Sequence, residues 1–354
     1  MRSINGRHAT PPLVLAAGLA IGLLAAGCGG GGPSAPTVHV EPEVNFALPP
    51  ASVGCSAATT LPDGALRVPM TVSTEAGQVA ELVNVCIDGA GPYPFVLDTG
   101  AGQSTIDAGL ARRLHLAHAG QSTLFAGVGC TGTAQPVSVT AWSLEGVDLS
   151  AQNLTSATLP QIGGRGEPVG LLGSDVLSRF GGVRVDFAAG ALVLPGAEGA
   201  PLSNSASYTG PVGPPPDPVL TQGGGTTVPL TVQPLPGDVS LNVAVRFAGG
   251  PRRSFVVDTG SSQSVVATAS ARAASLGPTD LAQRQATVCS VITVPLVHSG
   301  RWSVPGQVLH PQLVGETAFG TISLGGTQGL LGSDQLKRYG WVALDYTGAR
   351  LVLG

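Results

Sequence analysis

Apolar positions in this chain fall in short runs of Val, Leu and Ile broken by glycine and proline, the pattern of strands between turns. Residues 82–87 and 241–247 each predict a strand running into a turn, at Asp88-Gly89 in one case and Gly249-Gly250 in the other. In both places a second apolar run follows, Phe95-Val96-Leu97 and Phe255-Val256-Val257. Helical spacing is rare. Residues 106–115 predict one short helix with Asp107 as its cap. A second is predicted after Gly173, where Ser174 can cap and Val176, Leu177 and Phe180 share a face. The expected fold class is all-β.

The pattern is written twice. Val68-Pro69-Met70-Thr71-Val72 returns as Val228-Pro229-Leu230-Thr231-Val232, and Phe95 to Gly100 returns as Phe255 to Gly260, at a constant offset of 160. Trp142-Ser143 and Trp302-Ser303 keep that offset. Gly170-Leu171-Leu172-Gly173-Ser174-Asp175 returns as Gly329-Leu330-Leu331-Gly332-Ser333-Asp334. A repeat of this length is a small domain rather than a solenoid unit. Residues 63–195 and 224–354 are therefore expected to be one fold used twice. Pro214-Pro215-Pro216 and Gly223-Gly224-Gly225 make residues 196–223 a linker by composition.

Composition changes the picture at the front of the chain. Arg2 and Arg7 precede a charge-free apolar run over residues 13–26, which is the form of an export signal. The run is shorter than the ~20 residues a membrane span needs. Leu24-Ala25-Ala26-Gly27-Cys28 resembles a bacterial lipoprotein signal. That resemblance implies removal of residues 1–27, acylation of Cys28, and an exported protein anchored through lipid to a bacterial membrane, facing away from the cytoplasm. The alternative is an ordinary cleaved signal with a chance cysteine. Residues 28–62 form a Gly/Pro-rich tether and N-terminal segment. A net charge of −4 argues against nucleic acid as a partner.

The candidate chemistry lies in the repeat. Each half has an apolar strand, then Asp-Thr-Gly (Asp98-Thr99-Gly100 and Asp258-Thr259-Gly260), then the later Gly-Leu-Leu-Gly-Ser-Asp. This arrangement resembles a lobe of a retropepsin-type aspartic protease, and both halves carry it. The resemblance implies two tandem retropepsin-like lobes in a pseudo-twofold bilobed structure, with an endopeptidase site shared between them. Asp98 and Asp258 would hydrolyse peptide bonds through an activated water, sharing one proton as aspartic proteases do. Gly100 and Gly260 would let backbone approach backbone, and the Thr99 and Thr259 hydroxyls would bond across to the opposite loop. Leu171-Leu172-Gly173 and Leu330-Leu331-Gly332 would pack beneath the pair. Ala101 follows the first turn, as in retropepsins, and Ser261 the second, as in pepsin-like enzymes. A Ser261 hydroxyl bonded to the adjacent carboxylate would make the pair asymmetric. The implied partner is a peptide or protein substrate, bound as an added strand by a monomer that is its own pseudo-dimer. No cofactor is implied. Three rivals are a non-catalytic peptide- or cell-surface-binding protein on the same fold, an enzyme active only as an intermolecular homodimer, and an enzyme whose cleavage is confined to one partner or to itself.

Other residues receive quieter readings. Asp175 and Asp334 follow a serine at a helix start, where a carboxylate favours the helix dipole. Asp186 and Asp345 read as structural, and Trp142 and Trp302 as core. Gly127-Val128-Gly129-Cys130-Thr131-Gly132 has the letters of a dinucleotide fingerprint, but the chain continues as strand rather than helix. It reads as a glycine-rich hairpin, the counterpart of the family's flap, with Gly127, Gly129, Cys130 and Gly132 near its tip. The matching hairpin around Val288-Cys289-Ser290 lacks those glycines. His115 and His118 have no third ligand, so no metal site is expected. Cys55, Cys86, Cys130 and Cys289 admit three pairings. If the flap tips meet as the resemblance implies, Cys130 pairs with Cys289 and Cys55 with Cys86, and access to the cleft is restricted. The competing reading makes each a small buried residue in a strand.

Overall fold

The computed structural model describes residues 39–41, 55–75, 78–160, 169–202, 207–235, 237–319 and 326–354. The stretch read as an export leader, Cys28 and most of the stretch read as a tether lie outside the described residues. No helix among the described residues is long and apolar enough to cross a membrane. Strands dominate, and the α-helices are short: Ala108–Arg113, Ser174–Leu177, Thr268–Ala273 and Ser333–Leu336. The all-β expectation holds.

The two halves build the same core motif. Gln78–Ile87 pairs antiparallel with Ala90–Leu97, through a turn in which Asp88 and Gly89 both take left-handed backbone, at φ 50° and 76°. Two such residues match the twist of the strands they join. In the second half Asp238–Phe247 pairs with Arg252–Asp258, and the left-handed pair is Ala248-Gly249, one residue earlier than the sequence suggests. Gly170–Leu172 then runs parallel to Ala90–Leu97 and antiparallel to Thr105–Asp107. Gly329–Gly332 does the same between Arg252–Asp258 and Val265–Ala267. Each Asp-Thr-Gly turn is thereby held where its strand emerges beside the Gly-Leu-Leu segment.

Asp107 caps its helix as expected, its Oδ1 accepting from the Gly109 and Leu110 amides at 2.8 and 3.1 Å. Ser174 does not cap. Gly173 takes the cap position and makes no side-chain bond there, while Ser174 is fully buried within the helix. Val176, Leu177 and Phe180 are buried together, as their spacing requires.

Among the described residues one ladder joins the halves. Gly182–Asp186 pairs antiparallel with Trp341–Asp345, and on either side lie Ala191–Leu194 with Leu66–Pro69 and Arg350–Leu353 with Thr226–Leu235. Val183, Val185, Val342 and Leu344 of the central pair belong to one continuous apolar core that reaches into both halves. The stretch read as a linker is not loosely strung where it is described. Tyr208–Thr209 pairs with Thr226–Leu235, Leu220 is buried, and Arg350 Nη2 donates to the Val212 and Gly213 carbonyls. Within the stretch read as a tether, His39–Glu41 forms a strand parallel to residues 281–283.

Candidate active site

Strand alternation fixes which way the two aspartates point. Phe95 and Leu97 face the main core, so Val96 and Asp98 share the opposite face; Phe255 and Val257 face the core, so Val256 and Asp258 share theirs. Asp98 Oδ1 accepts from the Gly100 and Ala101 amides at 3.0 and 2.8 Å. Asp258 Oδ1 accepts from the Ser261 amide at 2.9 Å.

The turns bind each other reciprocally. Thr99 Oγ1 donates to Val257 O at 2.8 Å and accepts from the Thr259 amide at 3.1 Å. Thr259 Oγ1 donates to Leu97 O at 2.6 Å and accepts from the Thr99 amide at 3.1 Å. Both threonines are fully buried. This brings each carboxyl against the opposite turn: a methyl group on Gly100 would overlap the Asp258 carboxyl, and one on Gly260 would overlap that of Asp98. Only glycine permits the approach. Burial raises the pKa of Asp98, against the pull of its two amide donors. Burial, then the neighbouring Asp98 charge, pushes Asp258 well above the usual carboxylate range. Once one of the two carboxyls is charged, burial and repulsion both oppose ionisation of the other.

Behind each turn stands a buried serine. Ser174 Oγ donates to Thr99 O at 2.9 Å and lies 2.8 Å from the Tyr346 hydroxyl. Having one proton to give, Ser174 must accept from Tyr346. Ser333 Oγ stands 3.1 Å from Thr259 O and 2.9 Å from Glu81 Oε2. One hydroxyl proton cannot serve both acceptors, and a protonated Glu81 donating to Ser333 resolves the conflict. Glu81 is fully buried, its other oxygen has no hydrogen-bond partner among the described residues, and burial lifts its pKa to about 8. Both halves thus carry the same relay, a neutral O–H group to serine to the carbonyl of the turn's threonine. Sequence reading missed it, because Glu81 looks like any polar residue in a strand.

Asp175 and Asp334 stand in the first turn of their helices, where Asp334 Oδ1 accepts from the Gln335 amide at 2.8 Å, and both carboxylates also reach outside the helix. Asp175 Oδ1 accepts from the Ser104 amide and hydroxyl at 2.9 and 2.7 Å, and its Oδ2 from Gln152. Asp334 repeats this with Ser264 and Gln312, and burial raises it to about 6. Each ties down the chain leaving an Asp-Thr-Gly turn. The expected bond from the Ser261 hydroxyl to Asp258 is absent, since Ser261 Oγ donates to Gln263 O at 2.6 Å. Only the backbone of Ser261 supports the carboxylate.

Trp142 and Trp302 are buried, their indoles donating to Ser150 O and His310 O. Asp345 pairs with Arg350 at 2.7 Å and Asp186 with Arg184 at 3.0 Å, both structural. His115 and His118 are exposed, and the described residues contain no group that could hold a metal ion.

The two hairpins form as expected. Thr123–Gly127 pairs with Cys130–Val139, and Gly277–Ala286 with Val291–His298. The glycine-poor second tip is fastened by Thr287, whose hydroxyl donates to Ser290 O and accepts from the Ser290 amide. Cys130 and Cys289 are bridged, with Cα atoms 6.1 Å apart, and so are Cys55 and Cys86, at 5.9 Å.

Over residues 83–176, from the strand before Asp98 into the helix after Gly173, the sequence matches the aspartyl protease family. Among solved structures the chain is similar to the aspartic proteinase from Irpex lacteus, at 13% identity over 81% of this chain and 96% of that one, with a TM-score of 0.43. No curated protein matches.

Proposed function

We propose that this chain is an aspartic endopeptidase whose site is composed of Asp98 and Asp258, one from each of two lobes, residues 63–195 and 224–354. The observation that carries the reading is the reciprocal lock of the two turns, with each carboxyl against the other turn's glycine. The pair's ionised member takes a proton from a water as it attacks the peptide carbonyl. Its protonated member hydrogen-bonds the carbonyl oxygen, and a proton then passes to the leaving nitrogen. Because the lock is made within one chain, an intramolecular pair is favoured over a homodimer. Agreement with the aspartyl protease family over residues 83–176 supports the same chemistry. Peptide is the substrate class, lying extended beneath the hairpins.

Asp98→Asn and Asp258→Asn should each lower hydrolysis of a diverse peptide library by about 10²–10⁴-fold with the fold intact. Near-normal turnover by either variant would sink the shared site. The rate should rise with pH as the pair loses its first proton and fall as it loses the second, with the falling limb displaced above the usual 3.8 because burial and the neighbouring Asp98 charge push Asp258 well up. The proposal extends to location: export and acylation at Cys28, supported by the leader pattern and by two disulfides. Mass spectrometry finding an unmodified N-terminus elsewhere would remove the anchor.

A further inference from the structure

The two hairpins come from opposite halves, and their tips are fastened rather than merely apposed. Beside the Cys130–Cys289 bridge, Cys130 Sγ lies 3.0 Å from Thr287 Oγ1. A methyl group on Gly127 would strike Val288, and one on Gly129 would press on Ile292. Val128, at the first tip, rests with Phe319 on Val256, Val265 and Leu330 of the second half. Val256 shares the face of Asp258, so the joined tips lie on the carboxyl side of the sheet. On the other side of the aspartates, the Thr99 and Thr259 bonds close the gap between the halves. The carboxyl pair therefore sits within a ring whose floor is the threonine lock and whose roof is a covalent bond.

We propose that this ring makes the site accept polypeptide by a free end only. The inference rests on the endopeptidase reading. Hairpins with free tips can part, so that a substrate is laid into the cleft from above. Tips joined by a disulfide cannot part without breaking a covalent bond, and among the described residues the route that remains is along the cleft, under Cys130–Cys289. A linear chain can thread that way. A cyclic peptide has no end to insert, and an internal loop of a folded protein would need two strands under the roof together, each taking ~4.8 Å of width in the sheet direction. Cys130 and Cys289 thereby determine specificity without touching the reacting atoms. In a compartment that oxidises thiols the bridged form is the resting state.

The test uses the full chain and one peptide sequence in two forms. A linear peptide of about 24 residues, taken from the cleaved members of a library, is compared with the same sequence cyclised head to tail; half of such a ring reaches ~40 Å at ~3.3 Å per residue. The bridged protein should cleave the linear form and leave the ring intact at buffer background. The Cys130→Ala/Cys289→Ala double variant should cleave both. If that variant fails on the linear peptide, the wild-type chain under mild reduction replaces it. Cleavage of the ring by the bridged protein, at the same ratio to the linear form as in the opened protein, overturns the inference. So does a bridged protein that cleaves neither form while the opened one cleaves both, since the roof would then be a complete closure. Failure of every form to cleave the linear peptide overturns the peptidase reading itself.

Discussion

The threonines of the turns at Asp98 and Asp258 bind across to each other reciprocally, yet what stands behind the two turns differs. Behind the first, Ser174 receives its hydrogen bond from Tyr346, a phenol that burial keeps neutral at any pH the fold will meet. Behind the second, Ser333 receives it from Glu81, which can donate only while protonated. A duplicated site needs the same donor in both copies, but different side chains can supply it. The exchange matters because one donor is permanent and the other is conditional.

The largest effect that could break the equivalence of the halves is at the glycines. Gly100→Ala and Gly260→Ala each drive a methyl into the opposite carboxyl. Displacing a reacting group by ~1 Å costs about 10²-fold in rate, so both variants should lose turnover to a similar degree. Kinetics on a linear peptide check this, and a loss confined to one variant would show that the two carboxyls are not equally placed.

Next in size is the pair of relays. Tyr346→Phe leaves Ser174 without its donor and should cost about 1–2 kcal/mol in denaturant unfolding, with little dependence on pH. Glu81 behaves differently. Folded, it holds its proton up to about 8, while the unfolded carboxyl ionises from 4.5. Rising pH across that window therefore favours the unfolded chain, and Glu81→Gln, neutral throughout, should remove this loss. Lys337 nearby favours ionisation and Asp334 opposes it, so Lys337→Met should leave the onset of the fall near 4.5 and carry it on to higher pH, making the total loss larger. Parallel pH profiles for wild type and Glu81→Gln would refute a protonated Glu81.

The smallest expected effect is at the residue that first suggested asymmetry. Ser261→Ala removes a hydroxyl bonded to Gln263 O and leaves the amide on Asp258 in place. Its pH–rate profile should overlay that of the wild type within about 0.3 pH units, well inside the 1.36 kcal/mol that a full unit represents. A larger displacement would return the Ser261 hydroxyl to the carboxylate.

Much of this was legible in the sequence because duplication doubles every signal. The Asp-Thr-Gly turns, the strands before them, the Asp107 cap and the equivalent Cys130 and Cys289 each depend on local pattern or on a repeated offset. What escaped depends on contacts across the fold. Ser174 at a helix start looks like a cap, and only burial against Thr99 and Tyr346 reveals its other use. Asp175 and Asp334 occupy the helix position expected of them, but their bonds run to Ser104 and Ser264, far away in the chain. Residues 196–223 look like a linker by composition, yet Leu220 is buried and Tyr208 pairs with Val232. Glycine and proline disclose where a chain turns, but not what it turns to meet.

The ladder between Gly182–Asp186 and Trp341–Asp345 has a consequence for how the chain comes into being. During synthesis Gly182–Asp186 is made long before its neighbour, and until then that edge offers unpaired amides and carbonyls to any other strand nearby. Nascent chains in this condition are prone to pair with one another. If the chain is exported as an unfolded thread, the hazard travels with it across the membrane. A holding factor that keeps residues 182–186 covered until residues 341–345 arrive would then raise the yield of mature protein more than anything done to the first half alone.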